Sequence, residues 1–205
     1  ELTTEQGMAL LREVHGLGCP NLVLTGGDPA KRADLVPLVA YGTSLGLRVA
    51  LTPSATPLVT AELLSQLRDA GWARLALSVD GSGPATHDAF RNVSGSFARS
   101  LEILREAKAL GLTTQINTTV STDNLAELPD IAALCAEHGV ELWSVFFLVP
   151  TGRGAQLGAL SPDQVEDVLH YLAALLEQSS FDIKTTAAPH FRRVLLRRKL
   201  DRGHV

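Results

Sequence analysis

The chain has 205 residues, 22 acidic against 18 basic side chains for a formal charge of −4, and 45% hydrophobic content. That is ordinary globular composition, and the length suits one domain in the usual range of about 100–200 residues. Mild acidity without a basic stripe excludes a dedicated nucleic-acid binder, and no apolar run nears the ~20 residues that span a bilayer.

In chain order, short apolar and β-branched runs at residues 21–25, 47–52, 73–79, 113–120 and 141–149 read as strands buried on both faces. A sixth is expected at 182–186. Amphipathic stretches separate them. Leu63, Leu64, Leu67 and Ala70 share one helical face, and Leu101, Leu104, Ala107 and Ala109 approximate another. Gly18, Gly46, Gly71, Gly111 and Gly139 each fall a few residues before a strand, where a helix end calls for positive φ. Ser161-Pro162-Asp163-Gln164 has the spacing of a capping box with proline in the first turn. Strand–helix alternation with short loops gives an α/β class with a parallel sheet. Five or six strands are too few for a closed eight-stranded barrel, so a partial barrel and an open doubly wound sheet both fit. No linker or charge block divides residues 1–205.

In such folds the chemistry gathers at the carboxyl ends of the strands. Those ends read Thr25-Gly26-Gly27-Asp28-Pro29, Thr52-Pro53-Ser54, Ser78-Val79-Asp80-Gly81, Asn117-Thr118-Thr119 and Pro150-Thr151-Gly152-Arg153-Gly154. Gly26 and Gly27 let backbone groups approach a ligand, and Asp28 offers a carboxylate to an ammonium. Equally, Asp28 is a helix N-cap with Pro29 in the first turn. Ser78 and Asp80, two apart, form a hydroxyl and carboxylate pair suited to a ribose diol. Asp80-Gly81 also reads as a plain turn. Asn117 interrupts an apolar strand, so it either satisfies a neighbouring backbone or faces a site.

The six histidines form no ligand set. His87, in a loop near Asp80, is read as structural for want of metal-ligand spacing. Cys19 and Cys135 can build neither a disulfide framework nor a cysteine metal site within this chain. No residue stands out as a catalytic acid or base.

Taken together, these strand ends resemble the radical S-adenosylmethionine (radical SAM) enzymes, over residues from about 22 to 189. Leu24-Thr25-Gly26-Gly27-Asp28-Pro29 is similar to the Gly-Gly-Glu-Pro segment that binds the methionine amino group, with an aspartate one methylene shorter. Ser78-Val79-Asp80-Gly81 resembles the Ser-x-Asp-Gly that holds the ribose. His87-Asp88-Ala89-Phe90-Arg91, Gly95-Ser96-Phe97 and the 147–154 segment resemble the SPASM-associated branch of heme-biosynthesis and peptide-maturation proteins.

The resemblance implies a partial (β/α) barrel in which S-adenosylmethionine is held by Gly26, Gly27, Asp28 and Pro29. Ser78, with Asp80, would hold the ribose. Asn117, Val149 and Pro150 would flank the nucleoside, and Thr52 lies on the same rim. It also implies reductive cleavage of the cofactor at a [4Fe–4S] cluster. The resulting 5′-deoxyadenosyl radical would act on a heme-precursor or peptide substrate, with electrons from a reductase such as a ferredoxin or flavodoxin. The family's Cys-x-x-x-Cys-x-x-Cys loop does not occur in this sequence. A core fragment is therefore expected, lacking its first strand, cluster loop and a C-terminal SPASM-type region, inactive as written and located in the cytoplasm. The uncovered edge of the 21–25 strand should promote self-association. Two alternatives are a cluster-free nucleoside-binding module and a phosphate-binding partial-barrel lyase or isomerase. The second lacks a convincing strand lysine and carries Asp28 beside its would-be anion nest.

Overall fold

A computed structural model describes residues 2–203, without the side chains of Arg153 and Gln156. Six strands are laid down in chain order: β1 (Asn21–Leu24), β2 (Arg48–Leu51), β3 (Arg74–Ser78), β4 (Thr114–Val120), β5 (Leu142–Phe147) and β6 (Asp182–Thr186). They form one sheet ordered β1-β2-β3-β4-β5-β6. The β1–β2, β2–β3 and β5–β6 pairs are parallel. Leu75 N–H donates to Thr113 carbonyl and Val79 N–H to Asn117 carbonyl, an ascending pattern on both strands that is also parallel. This is the α/β partial-barrel class expected from the sequence. Contacts group the chain into two compact units, Glu1–Ser78 with Ala98–Gln115, and Val79–Phe97 with Ile116–Val205.

In the first unit, α1 (Thr4–Gly16) begins at a capping box: the Thr3 hydroxyl accepts from Gln6 N–H, and the Gln6 side chain returns the bond. That satisfies two of the donors every helix start leaves open. The helices α2 (Leu35–Ser44) and α3 (Ala61–Asp69) follow, with Thr60 capping α3 through Leu63 N–H. Leu64 and Leu67 of α3 are buried, while Leu63 and Ala70 sit at the margin of that face. On α5 (Ser96–Ala109) the buried stripe is Ile103, Leu104 and Ala107. Ala109 is exposed, correcting its assignment to that face, because two residues advance a helix by about 200°.

The second unit holds α4 (Pro84–Arg91), α6 (Leu128–Glu137), α7 (Pro162–Leu176) and α8 (Phe191–Asp201). Ser161 and Gln164 form the capping box that their spacing predicts, with Pro162 in the first turn. Trp143, fully buried, donates from Nε1 to the Thr118 hydroxyl, which donates to Val79 carbonyl. A large apolar ring is thus buried without orphaning its one polar group.

All five capping glycines adopt positive φ, among them Gly46 at +87° and Gly71 at +80°. Two strands depart from the expectation of burial on both faces. β1 alternates between exposed and half-buried, with Val23 54% exposed, and β6 buries Ile183 but leaves Asp182 and Lys184 exposed. Both are end strands with one neighbour each, and apolar content alone does not report position in a sheet. Among the described residues no helix is long and apolar enough to cross a membrane.

Candidate functional site

In the first unit, β1 ends at Leu24 and the chain turns through Gly26 and Gly27 into a short 3-10 turn, Pro29–Lys31. Gly26 has φ +117°, and a Cβ at either glycine would meet nothing within 4 Å. Both are exposed. Their backbone groups are therefore open to a ligand, and Gly26 also occupies a conformation that L side chains avoid. Asp28 is half-buried. Its Oδ1 accepts from Ala30 N–H at 3.1 Å and from Ser54 N–H at 3.3 Å, and its Oδ2 from the Thr56 hydroxyl at 3.1 Å. The N-cap reading holds: Asp28 caps the turn with Pro29 buried behind it. Ser54 lies in the strand-end segment Thr52-Pro53-Ser54, but no sequence signal joins it to Asp28, and Thr56 lies 28 residues away from Asp28 in a loop without a recognisable signal. Thr52 is half-buried, and its N–H is spent on Leu24 carbonyl. Ser78, the last residue of β3, is half-buried.

In the second unit Asp80 is fully buried. Its Oδ1 accepts from Thr119 N–H at 2.7 Å and its Oδ2 meets the Arg91 guanidinium. Burial pushes its pKa up, while Arg91 and the Thr119 amide oppose that rise. The expectation that Asp80 holds a ribose is corrected here: the carboxylate has no exposed surface to offer a ligand. The backbone of Asp80 is equally occupied. Its N–H donates to His87 Nδ1 at 3.0 Å, and its carbonyl accepts from Asn124 Nδ2 at 2.9 Å, a group that also donates to Thr119 carbonyl.

Gly81 must be glycine for packing rather than for φ, because a Cβ there would sit 2.6 Å from His87 N. Glu127, from the 3-10 turn Leu125–Glu127, accepts from Ser82 N–H, the Ser82 hydroxyl and the Thr86 hydroxyl. Its burial raises the pKa, but these donors outweigh it and leave the carboxyl below its ordinary value. Asp88 accepts from the N–H groups of Gly95 and Phe97 and from Ser96 hydroxyl, so it stitches one loop together.

Asn117 lies on the half-exposed face of β4 with Gln115 and Thr119, while Thr114, Ile116, Thr118 and Val120 alternate inward. Val149 and Pro150 are exposed after β5. The side chain of Arg153, in the same segment, lies outside the described residues.

The residues present fit a cofactor with an ammonium group at Gly26, Gly27 and Asp28, an exposed glycine backbone beside a half-buried acidic residue. They do not fit a metal cluster. Among the described residues no group of three or more histidine, cysteine or acidic side chains could hold a metal ion. Cys19 is exposed and Cys135 buried, with burial raising the Cys135 thiol pKa.

His87 provides a direct test of the second unit. It is 1% exposed, and its pKa is lowered to about 4, first by burial and then by the Arg91 charge, against the opposing pull of Asp88. The unfolded imidazole titrates near 6.5, so between pH 6.5 and about 4 the unfolded chain binds the proton and the folded chain does not. Stability from this group is complete above pH 6.5 and falls as pH drops toward 4. His87→Asn keeps an acceptor for Asp80 N–H and should flatten that part of a plot of urea midpoint against pH. Equal slopes in variant and parent would contradict the assignment.

The description of the family model that matches residues 1–135 is the Radical SAM superfamily. An AdoMet-dependent heme synthase of Oleidesulfovibrio alaskensis is 42% identical over 205 residues, covering 99% of this chain and 53% of that protein. A pre-heme d1 synthase of Dinoroseobacter shibae is 32% identical over 154 residues, covering 75% of this chain and 38% of that protein. In fold, the chain is similar to Streptococcus suis SuiB bound to S-adenosylmethionine, with TM-score 0.74 and 15% identity, covering 91% of this chain and 44% of that one. The chain spans about half the length of the heme synthases it matches over nearly its whole extent. By the family model and these relatives, the chain belongs to the radical SAM superfamily.

Proposed function

We propose that this chain supplies the S-adenosylmethionine-binding part of a cytoplasmic radical SAM enzyme acting on a heme precursor. The observation that carries the proposal is the loop at Gly26-Gly27-Asp28, with open glycine backbone next to a half-buried carboxylate. A heme precursor is favoured over a peptide substrate. The relatives that align over 99% of this chain, at 38–42% identity, are named heme synthases, whereas the peptide cyclases align over 64–87% at 31–35% identity.

Bound S-adenosylmethionine would supply the family's carbon-radical chemistry after one-electron reduction, with a ferredoxin or flavodoxin as the electron source. Among the described residues none forms a ligand set for a [4Fe–4S] cluster. Their part is binding and orientation. Gly26 and Gly27 present backbone groups to the methionine end, and the Asp28 charge pairs with its ammonium. Pro29 fixes the turn behind Asp28, and Thr52 borders the loop. Ser78 is the proposed ribose contact, while Asn117, Val149 and Pro150 are the proposed nucleoside contacts. The phosphate-binding alternative is disfavoured because Asp28 would repel an anion at the same loop.

Asp28→Asn retains the acceptor for Ala30 and Ser54 while removing the charge. In the full-length polypeptide, equilibrium dialysis should show S-adenosylmethionine affinity falling by between about ten- and a hundredfold. That range corresponds to about 1.5–3 kcal/mol for a hydrogen bond to a charged group. Inorganic phosphate should not compete. Unchanged affinity, or competition by phosphate, would contradict the reading.

Self-association belongs to the same proposal. β1 is an end strand with Val23 exposed, and its outer edge can template pairing with a second copy. For this chain a dimer mass by light scattering is expected, and a monomer at high protein concentration would argue against it.

A further inference from the structure

The helix-covered side of the first unit fixes what its other side presents. Leu22 and Leu24 of β1 line a cavity with residues of α1 and α2, Leu11 and Leu38 among them. Val49 and Leu51 of β2, and Leu75 and Leu77 of β3, are at most 1% exposed. Alternation along each strand therefore places Arg48 and Ala50 of β2, and Arg74, Ala76 and Ser78 of β3, on the opposite face. There β1 adds Asn21 and Val23, in register with Arg48 and Ala50, and Ala50 is in turn in register with Arg74. The two arginines are the charged members of this face, and none of its members is acidic.

Arg48 is exposed and Arg74 half-buried. Arg74 donates from Nη1 to Gln115 Oε1 at 3.4 Å, and neither guanidinium makes an ion pair among the described residues. Arg48 lies two residues before the register partner of Arg74, which at ordinary strand rise and spacing puts their Cα atoms about 8 Å apart. Two guanidiniums so placed, each with five N–H donors, suit carboxylates, which take paired N–H groups. Ser78, the proposed ribose contact, is four residues along β3 from Arg74, about 13 Å, a span comparable with the breadth of a tetrapyrrole ring. Ala50 and Ala76, in between on this face, have no side chain beyond Cβ. Resting on the reading above, in which the substrate is a heme precursor, we propose that Arg48 and Arg74 bind the carboxylate side chains of that tetrapyrrole. They thereby set which part of its rim faces the cofactor.

The test uses the full-length polypeptide with iron mesoporphyrin IX, a tetrapyrrole bearing two propionates, and with its dimethyl ester. The variants are Arg48→Gln, Arg74→Gln, the two combined, and Arg74→Lys, which keeps the charge without the guanidinium fork. Thermal melting identifies the temperature at which each variant is folded. There, porphyrin affinity is measured by Soret-band titration at low and high salt, and S-adenosylmethionine affinity by equilibrium dialysis.

The expected result is that each single glutamine variant weakens binding of the diacid about threefold, as suits partly exposed ion pairs. The double variant should weaken it about tenfold, a change of about 1.4 kcal/mol, and Arg74→Lys should fall between Arg74→Gln and the parent. High salt should bring the diacid toward the ester, while ester and S-adenosylmethionine affinities keep their parental values throughout. Should the double variant fail to fold, the single variants decide the matter by the same measurements. Parental diacid affinity in the glutamine variants, equal affinity of the parent for diacid and ester, or a parallel loss of S-adenosylmethionine binding would each overturn the assignment and leave the heme-precursor reading standing. A parent that binds neither porphyrin would overturn that reading, and this inference with it.

Discussion

A carboxylate without access to water is the most demanding feature of this molecule. Taking an ion of that size out of solvent costs several kcal/mol even after relaxation, and Asp80 has no exposed surface at all. The structure around it reads as the set of conditions under which that burial is tolerable. Arg91 supplies the opposite charge and the Thr119 amide a second donor. His87 and Asn124 occupy the backbone groups of the same residue. Gly81 leaves room for His87 to come close. Glu127 then fixes the Ser82–Thr86 turn from which α4, carrying His87 and Arg91, begins.

The acidic residue of the first unit has the opposite character. Asp28 is half-buried and its three donors, Ala30, Ser54 and Thr56, are neutral. The residue is not closed off from solvent, and the flanking glycines carry no side chains to shield it. The two aspartates thus differ in burial and in the charge of their partners. The division follows from what each is paired with, since exposed pairing partners are weak and buried ones strong.

Much of the architecture was legible in the residues. Six strand segments, the Ser161–Gln164 capping box and the glycine-terminated helices rest on local periodicity and local backbone demands. Those are properties that a window of a few residues records. What escaped was long-range. The exposure of β1 depends on its place at the end of the sheet, which its apolar sequence cannot express. The spacing of Ser78 and Asp80 suggested two side chains on one side. But β3 ends at Ser78, and past a strand end the two-residue alternation no longer governs direction. The lack of metal-ligand spacing marks His87 as structural, and it is buried and accepts from Asp80 N–H. The partners that decide the roles of the aspartates, Ser54 and Thr56 for Asp28 and Asn124 for Asp80, are 26 to 44 residues distant. No motif marks them.

The account turns on which backbone segments meet S-adenosylmethionine and which only support them. Hydrogen–deuterium exchange of the full-length polypeptide, with and without S-adenosylmethionine, separates the two directly. Protection is predicted at residues 25–29 and 117–119, the segments proposed to meet the cofactor, with no change across 84–91, where His87 already accepts from Asp80 N–H. Protection concentrated at 84–91, or none at 25–29 under saturating ligand, would contradict the account.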